Sequence, residues 1–179
     1  MKTRVVTVIA VLMASVAALV AATSAGLVVT PIWRDGHMLV SFEVTDGVTP
    51  ELRDGIRSGL STTFLYEIDV RRGTIAWFTR SVASTTVTST VQFDNLTRRY
   101  QLSRAYDGRV AETRQTEDEA VMQRWLTRVD RVPIATSGLE ANSEYAVRVR
   151  LYRPPRNSWF FLPWDHNAVL GNAKFTFLP

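Results

Sequence analysis

Apolar and polar residues alternate along several stretches of this chain, and the clearest of them is residues 145–151. The apolar positions fall two residues apart, at Tyr145, Val147, Val149 and Leu151. The positions between them are Ala146, Arg148 and Arg150. Because successive side chains of a strand point to opposite sides, this pattern predicts a half-buried β-strand with one face in a core.

The residues just before this strand have a second recognisable feature. Leu139 follows a turn at Ser137-Gly138, and Tyr145 comes six residues after that leucine. This arrangement resembles the tyrosine corner of immunoglobulin-like and fibronectin-like sandwiches, in which the phenol hydrogen-bonds to nearby backbone. We therefore interpret the rest of the chain as strands that pack around this one.

The same alternation predicts further strands on both sides of it. They are residues 27–34, 38–45, 61–70, 75–80, 82–93, 97–106, 109–115 and 173–178. Turn-forming residues separate several of them, at Asp35-Gly36, Arg71-Arg72-Gly73, Asp94-Asn95 and Asp107-Gly108. The apolar residues expected on inner faces are Met38, Val40, Phe42, Val44, Phe64, Tyr66, Ile68, Val70, Val87, Val91, Phe93, Tyr100, Leu102, Tyr106, Phe175 and Phe177.

A first short helix is predicted to begin at Thr49-Pro50-Glu51, where a hydroxyl N-cap precedes a proline and an acid. Its apolar stripe consists of Leu52, Ile56 and Leu60. Gly55 and Gly59 lie one turn apart and allow close approach to a sheet.

A second helix is predicted to begin at a capping box, with Thr116 as the N-cap and Glu119 as the carboxylate three residues on. Its apolar stripe consists of Val121, Met122, Trp125, Leu126 and Val129. Its far end carries the cations that suit a helix dipole, namely Arg124, Arg128 and Arg131.

These elements predict a mainly β fold, an immunoglobulin-like or fibronectin-like antiparallel β-sandwich with two short helices. Residues 27–179 are expected to form this single domain. A small closed barrel is the alternative arrangement of the same strands.

Residues 1–25 read as a targeting segment. Lys2 and Arg4 precede an apolar run from Val5 to Ala22, and small residues follow it. This is the layout of a secretory signal peptide, and the run is nearly long enough to remain as a membrane anchor helix. Either outcome places the folded part outside the cytoplasm, in the periplasm or on the outer face of the cytoplasmic membrane, and residues 5–22 would make the membrane contact.

Composition narrows the classes of function. Hydrophobic residues make up 46% of the chain, which is enough for a packed core, and there is no cysteine to form a disulfide or ligate a metal. The formal net charge is +4, and a form without Lys2 and Arg4 would carry about +2, which is too small to support nucleic-acid binding by charge alone. Nearly all cations are arginine, and Lys174 is the one lysine outside the N-terminal segment.

The most unusual local feature is the run from Trp159 to Trp164, which lies between prolines in what should be a loop. Loops rarely carry so much apolar area unless it is covered or used. The run either folds back to cap the end of the sandwich or forms a surface for a partner. The candidate partner surface consists of Trp159, Phe160, Phe161, Trp164, Asp165, His166 and Asn167.

Signals for enzymatic chemistry are weak. The two histidines are His37 and His166, and the familiar hydrolase, phosphate-loop and metal motifs are missing from the sequence. Asp165 and His166 would need a serine from elsewhere, and no spacing selects one. The sequence therefore predicts no catalytic residues, no metal ligands and no cofactor.

Arginines on the outer face of the 145–151 strand indicate a basic surface. Arg148, Arg150 and Arg153 lie there, and Arg98, Arg99 and Arg104 were candidates to extend it. Such arginines usually cover a solvated sheet, although contact with anionic lipid or an acidic partner is the sharper interpretation.

Three segments together resemble a known bacterial family: TEDEAVMQRWLTRVDRVPI, LEANSEYAVRVR and PRNSWFFLPWDHNAVLGNAKFTF. It is a family of exported envelope proteins known only as a domain of unknown function and often encoded beside an NtrY-like sensor kinase. The resemblance implies a Gram-negative envelope protein with a mainly β fold, and it implies no catalytic residues. The neighbouring gene makes a sensor kinase a candidate partner.

The functional expectation is a non-catalytic binding or accessory module of the bacterial envelope. One alternative is a carrier of a lipid or another apolar ligand, which requires a cavity between the sheets. A second alternative is a small envelope hydrolase with Asp165 and His166 in its site.

Overall fold

The computed structural model describes residues 26–34, 37–74, 78–135, 139–140, 142–153 and 168–176. The strands are β1 (Leu27–Arg34), β2 (His37–Val44), β3 (Thr62–Thr74), β4 (Phe78–Asp94), β5 (Arg99–Tyr106), β6 (Arg109–Thr116), β7 (Arg128–Ile134), β8 (Glu144–Tyr152) and β9 (Val169–Thr176). The helices are α1 (Pro50–Arg57) and α2 (Glu119–Thr127).

The strands form two antiparallel sheets. The small sheet has the order β1-β2-β7, and the large sheet has the order β6-β5-β4-β3-β8-β9. Every strand pair in both sheets is antiparallel. The prediction of a mainly β fold with two antiparallel sheets and two helices is confirmed.

The inner faces of the two sheets meet in one apolar core. The side chains of Phe64, Tyr66, Ile68 and Val70 on β3 are fully buried, as their alternation predicts. The rings of Phe42 and Tyr66 lie 4.6 Å apart and join the two sheets. Burying each large apolar side chain stabilises the fold by about 1.5–3 kcal/mol relative to leaving it exposed.

Helix α1 begins where the sequence predicts, because the Thr49 hydroxyl accepts a hydrogen bond from the amide of Leu52 at 3.3 Å. Ile56 is buried, but Leu60 is 64% exposed. The expectation that Leu60 extends the buried stripe is wrong because the helix ends at Arg57, and Gly59, with a φ of +95°, turns the chain away.

Helix α2 is shorter than predicted, and its N-cap is Asp118 rather than Thr116. The Asp118 carboxylate accepts from the amide of Ala120 at 2.7 Å, while the Thr116 hydroxyl accepts from the amide of Asp118. The helix ends at Thr127, and the next residue already belongs to β7. Arg128 and Val129, predicted to be helical, therefore lie in a strand.

The prediction of a turn at 71–73 between two short strands is also wrong. Strand β3 continues to Thr74, and residues 78–94 form a single long strand rather than two. Pairing with β8 explains the extension, since Arg71 lies opposite Ala146 and Arg72 lies opposite Tyr145 in the ladder.

The tyrosine-corner contact is present. The backbone amide of Glu140, five residues upstream, donates to the hydroxyl of Tyr145 at 2.8 Å. The Tyr145 ring also stacks on Phe175 of β9 at 5.6 Å. Strand β8 lies inside the large sheet, between β3 and β9. Its first aromatic residue, Tyr145, contacts both the Glu140 amide and the Phe175 ring.

Strand β9 approaches β1 so closely that only glycine fits at position 171. A Cβ there would lie 2.7 Å from the backbone oxygen of Leu27 and would also overlap the Leu27 side chain. This contact sets the spacing between the two sheets along the β1/β9 side.

Several predictions lie outside the described residues: the targeting segment 1–25, the turn at Asp35-Gly36, Trp77 and Phe177. Within the described ranges, no helix is long and apolar enough to cross a membrane.

Candidate binding surface

Strands β8 and β9 fix the two ends of the chain segment that carries the candidate partner residues. Trp159, Phe160, Phe161, Trp164, Asp165, His166 and Asn167 themselves lie outside the described residues. The flanking strands pair through Leu151 and Val169, so the segment leaves and re-enters the sheet on adjacent strands about 4.8 Å apart. Both points lie at the end of the large sheet where β3 begins, which we call the helix end because α1 leads into β3 there.

Three exposed apolar side chains lie on the outer face of the sheet beside these two points. Leu65 is 39%, Tyr152 is 41% and Leu170 is 47% exposed. Leu65 lies directly opposite Tyr152, and Leu170 lies opposite Arg150, one diagonal step from Tyr152. We call Leu65, Tyr152 and Leu170 the apolar row.

Register, rather than proximity in sequence, brings the apolar row together. Each member occupies an outward position in its own alternating strand, where a solvated sheet normally carries polar side chains. Side chains directly opposite in an antiparallel pair have Cβ atoms about 4.5–5.5 Å apart, so Leu65 and Tyr152 are neighbours. Contiguous apolar surface at such positions is a feature of interaction sites.

Charged residues continue the outer face next to the apolar row. The Arg150 guanidinium lies 3.2 Å from the carboxylate of Glu67, and the Tyr152 hydroxyl donates to the same carboxylate at 3.1 Å. The hydrogen bond with Tyr152, followed by the charges of Glu67 and Asp69, raises the pKa of Arg150 above its ordinary value. This part of the surface therefore combines aromatic, aliphatic and arginine side chains, the composition in which interfaces concentrate affinity.

The expected basic face divides into separate regions. Arg148 and Arg150 lie on the outer face of β8, opposite Asp69 and Glu67 in the ladder. Arg98 lies in the turn before β5, and Arg99 pairs with Glu117 at 2.9 Å. The prediction that these arginines could share one surface with Arg104 is wrong, because Arg104 points inward.

Arg104, which was predicted to lie on the surface, is a buried structural residue. It is 8% exposed, and its guanidinium stacks on the Trp125 ring at 4.2 Å. One terminal nitrogen donates to the backbone oxygens of Trp125 at 2.7 Å and Arg128 at 3.2 Å, and its Nε donates to Ser89. Burial lowers the pKa of Arg104 from its ordinary value.

These contacts explain why α2 can pass directly into β7. A helix end leaves carbonyl groups without partners inside the helix, and buried carbonyls need donors. Arg104 donates to the backbone oxygen of Trp125, and the Tyr66 hydroxyl donates to the backbone oxygen of Leu126 at 2.5 Å. The sequence position of Arg104 could have indicated its burial, since it falls between Leu102 and Tyr106 on the inward side of an alternating strand.

The described residues offer little for catalysis. No group of three or more histidine, aspartate or glutamate side chains among them could hold a metal ion. His37 is exposed and is the first residue of β2. The last residue of that strand, Val44, lies beside α2, so His37 is at the end of β2 away from that helix. Asp165 and His166 lie outside the described residues.

Two concavities within the described part of the chain are open to solvent. One is a depression of about 340 Å³ on the outer face of β4, β5 and β6, lined mainly by Thr90, Gln92, Gln101, Ser103, Thr113 and Gln115. Another of about 340 Å³ lies between residues 44–48 and the two helices, with Arg53, Gln123 and Arg124 among its lining residues. Neither lies between the two sheets, where side chains fill the interior.

Comparison with known families now places the chain. The family model described as "Domain of unknown function (DUF4390)" matches residues 27–154, and the chain belongs to this family. The matched region runs from the start of β1 to just beyond the end of β8. No curated protein and no solved structure matches the chain.

Proposed function

We propose that this protein is a non-catalytic binding module of the bacterial envelope. Its partner surface lies on the outer face of the large sheet at the helix end. The single observation that carries the proposal is the apolar row, three exposed side chains brought together on the strands from which the Trp159–Trp164 run departs. Trp159, Phe160, Phe161, Trp164, Asp165, His166 and Asn167 are proposed to extend this surface.

The filled interior supports a binding module over a carrier. An apolar carrier needs a cavity between its sheets, typically of 300 Å³ or more. In the described residues that space is occupied by fully buried side chains, among them Phe64, Tyr66, Ile68 and Leu126. A ligand could enter only by displacing them.

We propose that the sandwich is immunoglobulin-like at its tyrosine corner. The hydrogen bond from Glu140 to Tyr145 and the packing of two antiparallel sheets support that relationship. Strands β3, β4, β5 and β6, however, form a meander within one sheet, whereas immunoglobulin domains distribute their strands between sheets through Greek-key connections.

We further propose that residues 1–25 export the domain or anchor it to the cytoplasmic membrane. The chain emerges from that segment at Gly26, whose carbonyl accepts from the amide of Thr45 at 2.8 Å. Leu27 then contacts Gly171 near the start of β9. The leader therefore joins the domain at the helix end, the same end of the sandwich as the apolar row, and we propose an envelope protein such as a sensor kinase as the partner there.

Photo-cross-linking in bacterial cells tests this proposal. A benzophenone side chain replaces Tyr152 at the apolar row and, as the matched control, replaces Gln115 on the outer face of the far edge strand β6. We expect one adduct of discrete mass from position 152 and none from position 115. Equal adducts from the two positions, or none from position 152, would argue against a partner surface here.

A further inference from the structure

The outer face of the large sheet carries a group of cations that its own carboxylates do not satisfy. Rows of opposite residues cross β9, β8 and β3 in that order. One row is Asn172, Arg148 and Asp69, and the next is Lys174, Ala146 and Arg71. The methyl group of Ala146 is thus surrounded by three long cationic side chains, those of Arg71, Arg148 and Lys174.

The nearest carboxylate, that of Asp69, is engaged by Arg71 of this group and by Arg150 outside it. Asp69 lies opposite Arg148 in the ladder, yet it accepts from Arg71 at 3.3 Å and lies 3.9 Å from Arg150. The side chain of Arg148 makes no hydrogen bond or ion pair within the described residues, and neither does that of Lys174. Two adjacent rows of the ladder therefore each carry one cationic side chain, Arg148 and Lys174 respectively, without an anionic partner among the described residues.

Buried nitrogen atoms mark the same place. The Nε atoms of Arg71 and Arg148 are both inaccessible to solvent and have no hydrogen-bond acceptor in the part of the chain that the structure describes. A solvent-inaccessible Nε cannot itself meet an incoming carboxylate, so an anion would contact the terminal nitrogens of these two guanidinium groups. Both arginines carry planar guanidinium groups, which match the geometry of a carboxylate.

We propose that Arg71, Arg148 and Lys174 bind a carboxylate on an acidic segment of the partner protein, seated over Ala146. This deepens the proposed function and rests on it for the partner alone. The site lies on the same outer face as the apolar row. Four residues along β8 separate Arg148 from Tyr152, about 13 Å, which a few residues of an extended segment can span.

The mixture of charges favours a discrete carboxylate over an anionic lipid surface. Asp69 lies on the row of Arg148, Glu67 lies on the next row toward Tyr152, and Glu144 lies one row beyond Ala146 along β8. A bilayer presents negative charge across its whole area and would meet these three carboxylates together with the cations. A single acidic side chain can contact the cations and avoid the acids.

Lys174 provides a direct reporter for the test. Lys2 is the other lysine of the chain, so full-length protein carrying Lys2→Arg and lysine labelled with ¹³C at Cε gives one lysine resonance. The probe is a blocked tetraglutamate peptide, and the variants are Arg148→Gln and the charge-neutral Ala146→Leu. Arg114→Gln, an exposed arginine on β6, is the matched control.

The peptide is expected to shift the Lys174 resonance saturably. Exposed ion pairs contribute little individually, so Arg148→Gln should weaken binding by about two- to fivefold, with Arg114→Gln unchanged. Ala146→Leu should weaken it sterically while charge is conserved. An unchanged Lys174 resonance, or equal weakening by Arg148→Gln and Arg114→Gln, would overturn the proposal.

Vesicles containing phosphatidylglycerol distinguish the two sources of negative charge. One outcome would assign the site to lipid and overturn the proposal: the protein does not respond to the peptide, it sediments with the vesicles, and Arg148→Gln abolishes that sedimentation. The variant Leu65→Ser separates this inference from the proposed function. It should retain the peptide response and lose the cross-linked adduct from position 152, so either result can fail without the other.

Discussion

Alternate residues of β3 and β8 form the inner and outer faces of the large sheet, and the two faces are under different physical constraints. Phe64 is fully buried, whereas Leu65, the next residue, is 39% exposed. Inner positions are fixed by packing, because every atom removed there leaves a cavity. Outer positions are free of that constraint, so an apolar or cationic cluster among them calls for an explanation outside the fold.

The largest contrast is expected between Phe64→Ala and Leu65→Ala. Removing a buried phenyl group should lower the free energy of unfolding by about 3–5 kcal/mol. The Leu65 substitution should lower it by less than about 1 kcal/mol because that side chain is already partly in solvent. Urea denaturation of both variants measures the difference. Similar losses would show that the two faces are not energetically distinct.

A second contrast compares two arginines. Arg104→Ala removes the donor to two backbone carbonyls and the contact with Trp125, and should cost about 2–4 kcal/mol. Arg148→Ala, on the outer face, should change stability by no more than about 0.5 kcal/mol. Thermal unfolding of the pair tests whether Arg104 holds the junction between α2 and β7, and a small effect at Arg104 would exclude that role.

A third contrast compares two tyrosine hydroxyls on β8. Tyr145→Phe removes the hydrogen bond with the Glu140 amide and should cost about 1 kcal/mol. Tyr152→Phe removes an exposed hydrogen bond with Glu67 and should have almost no effect on stability. Chemical denaturation resolves these values, and equal costs would mean that the tyrosine corner adds nothing specific.

The smallest expected effect concerns pH. Hydrogen bonds from the backbone amide of Thr86 and the hydroxyls of Thr85 and Thr86 lower the pKa of Asp107. A lowered pKa in the folded state gives stability that is complete above the unfolded value of about 3.9 and is lost as pH falls through the folded value. Stability should therefore decline below about pH 4, and Asp107→Asn should make that decline shallower. An unchanged slope in acid titration would contradict this assignment.

Alternation identified most strands because each inner face is apolar at every second residue. It missed β7 because the backbone of Arg131 adopts a φ of +54° and the pairing with β2 shifts register. Val129 and Val132 are then three residues apart although both are buried, which is a helical spacing. A bulge of this kind changes the period of the pattern, so the strand was interpreted as the end of a helix.

The candidate surface was less predictable for a different reason. Leu65, Tyr152 and Leu170 are far apart in sequence, and only the register of three strands makes them neighbours. Arg104 and Arg148 have the same residue type, yet Arg104 is buried and Arg148 faces outward. Residue type alone does not separate them, but alternation does, because Arg104 shares a face with Leu102 and Tyr106 whereas Arg148 lies on the opposite face from Val147 and Val149.

The most direct test of the account combines stability and binding in one variant, Leu65→Ser/Leu170→Ser, with the benzophenone at position 152. If the outer face serves a partner, the cross-linked adduct should disappear while the free energy of unfolding falls by no more than about 2 kcal/mol. Persistence of the adduct, or a loss of stability as large as that of Phe64→Ala, would contradict the assignment of binding to this face.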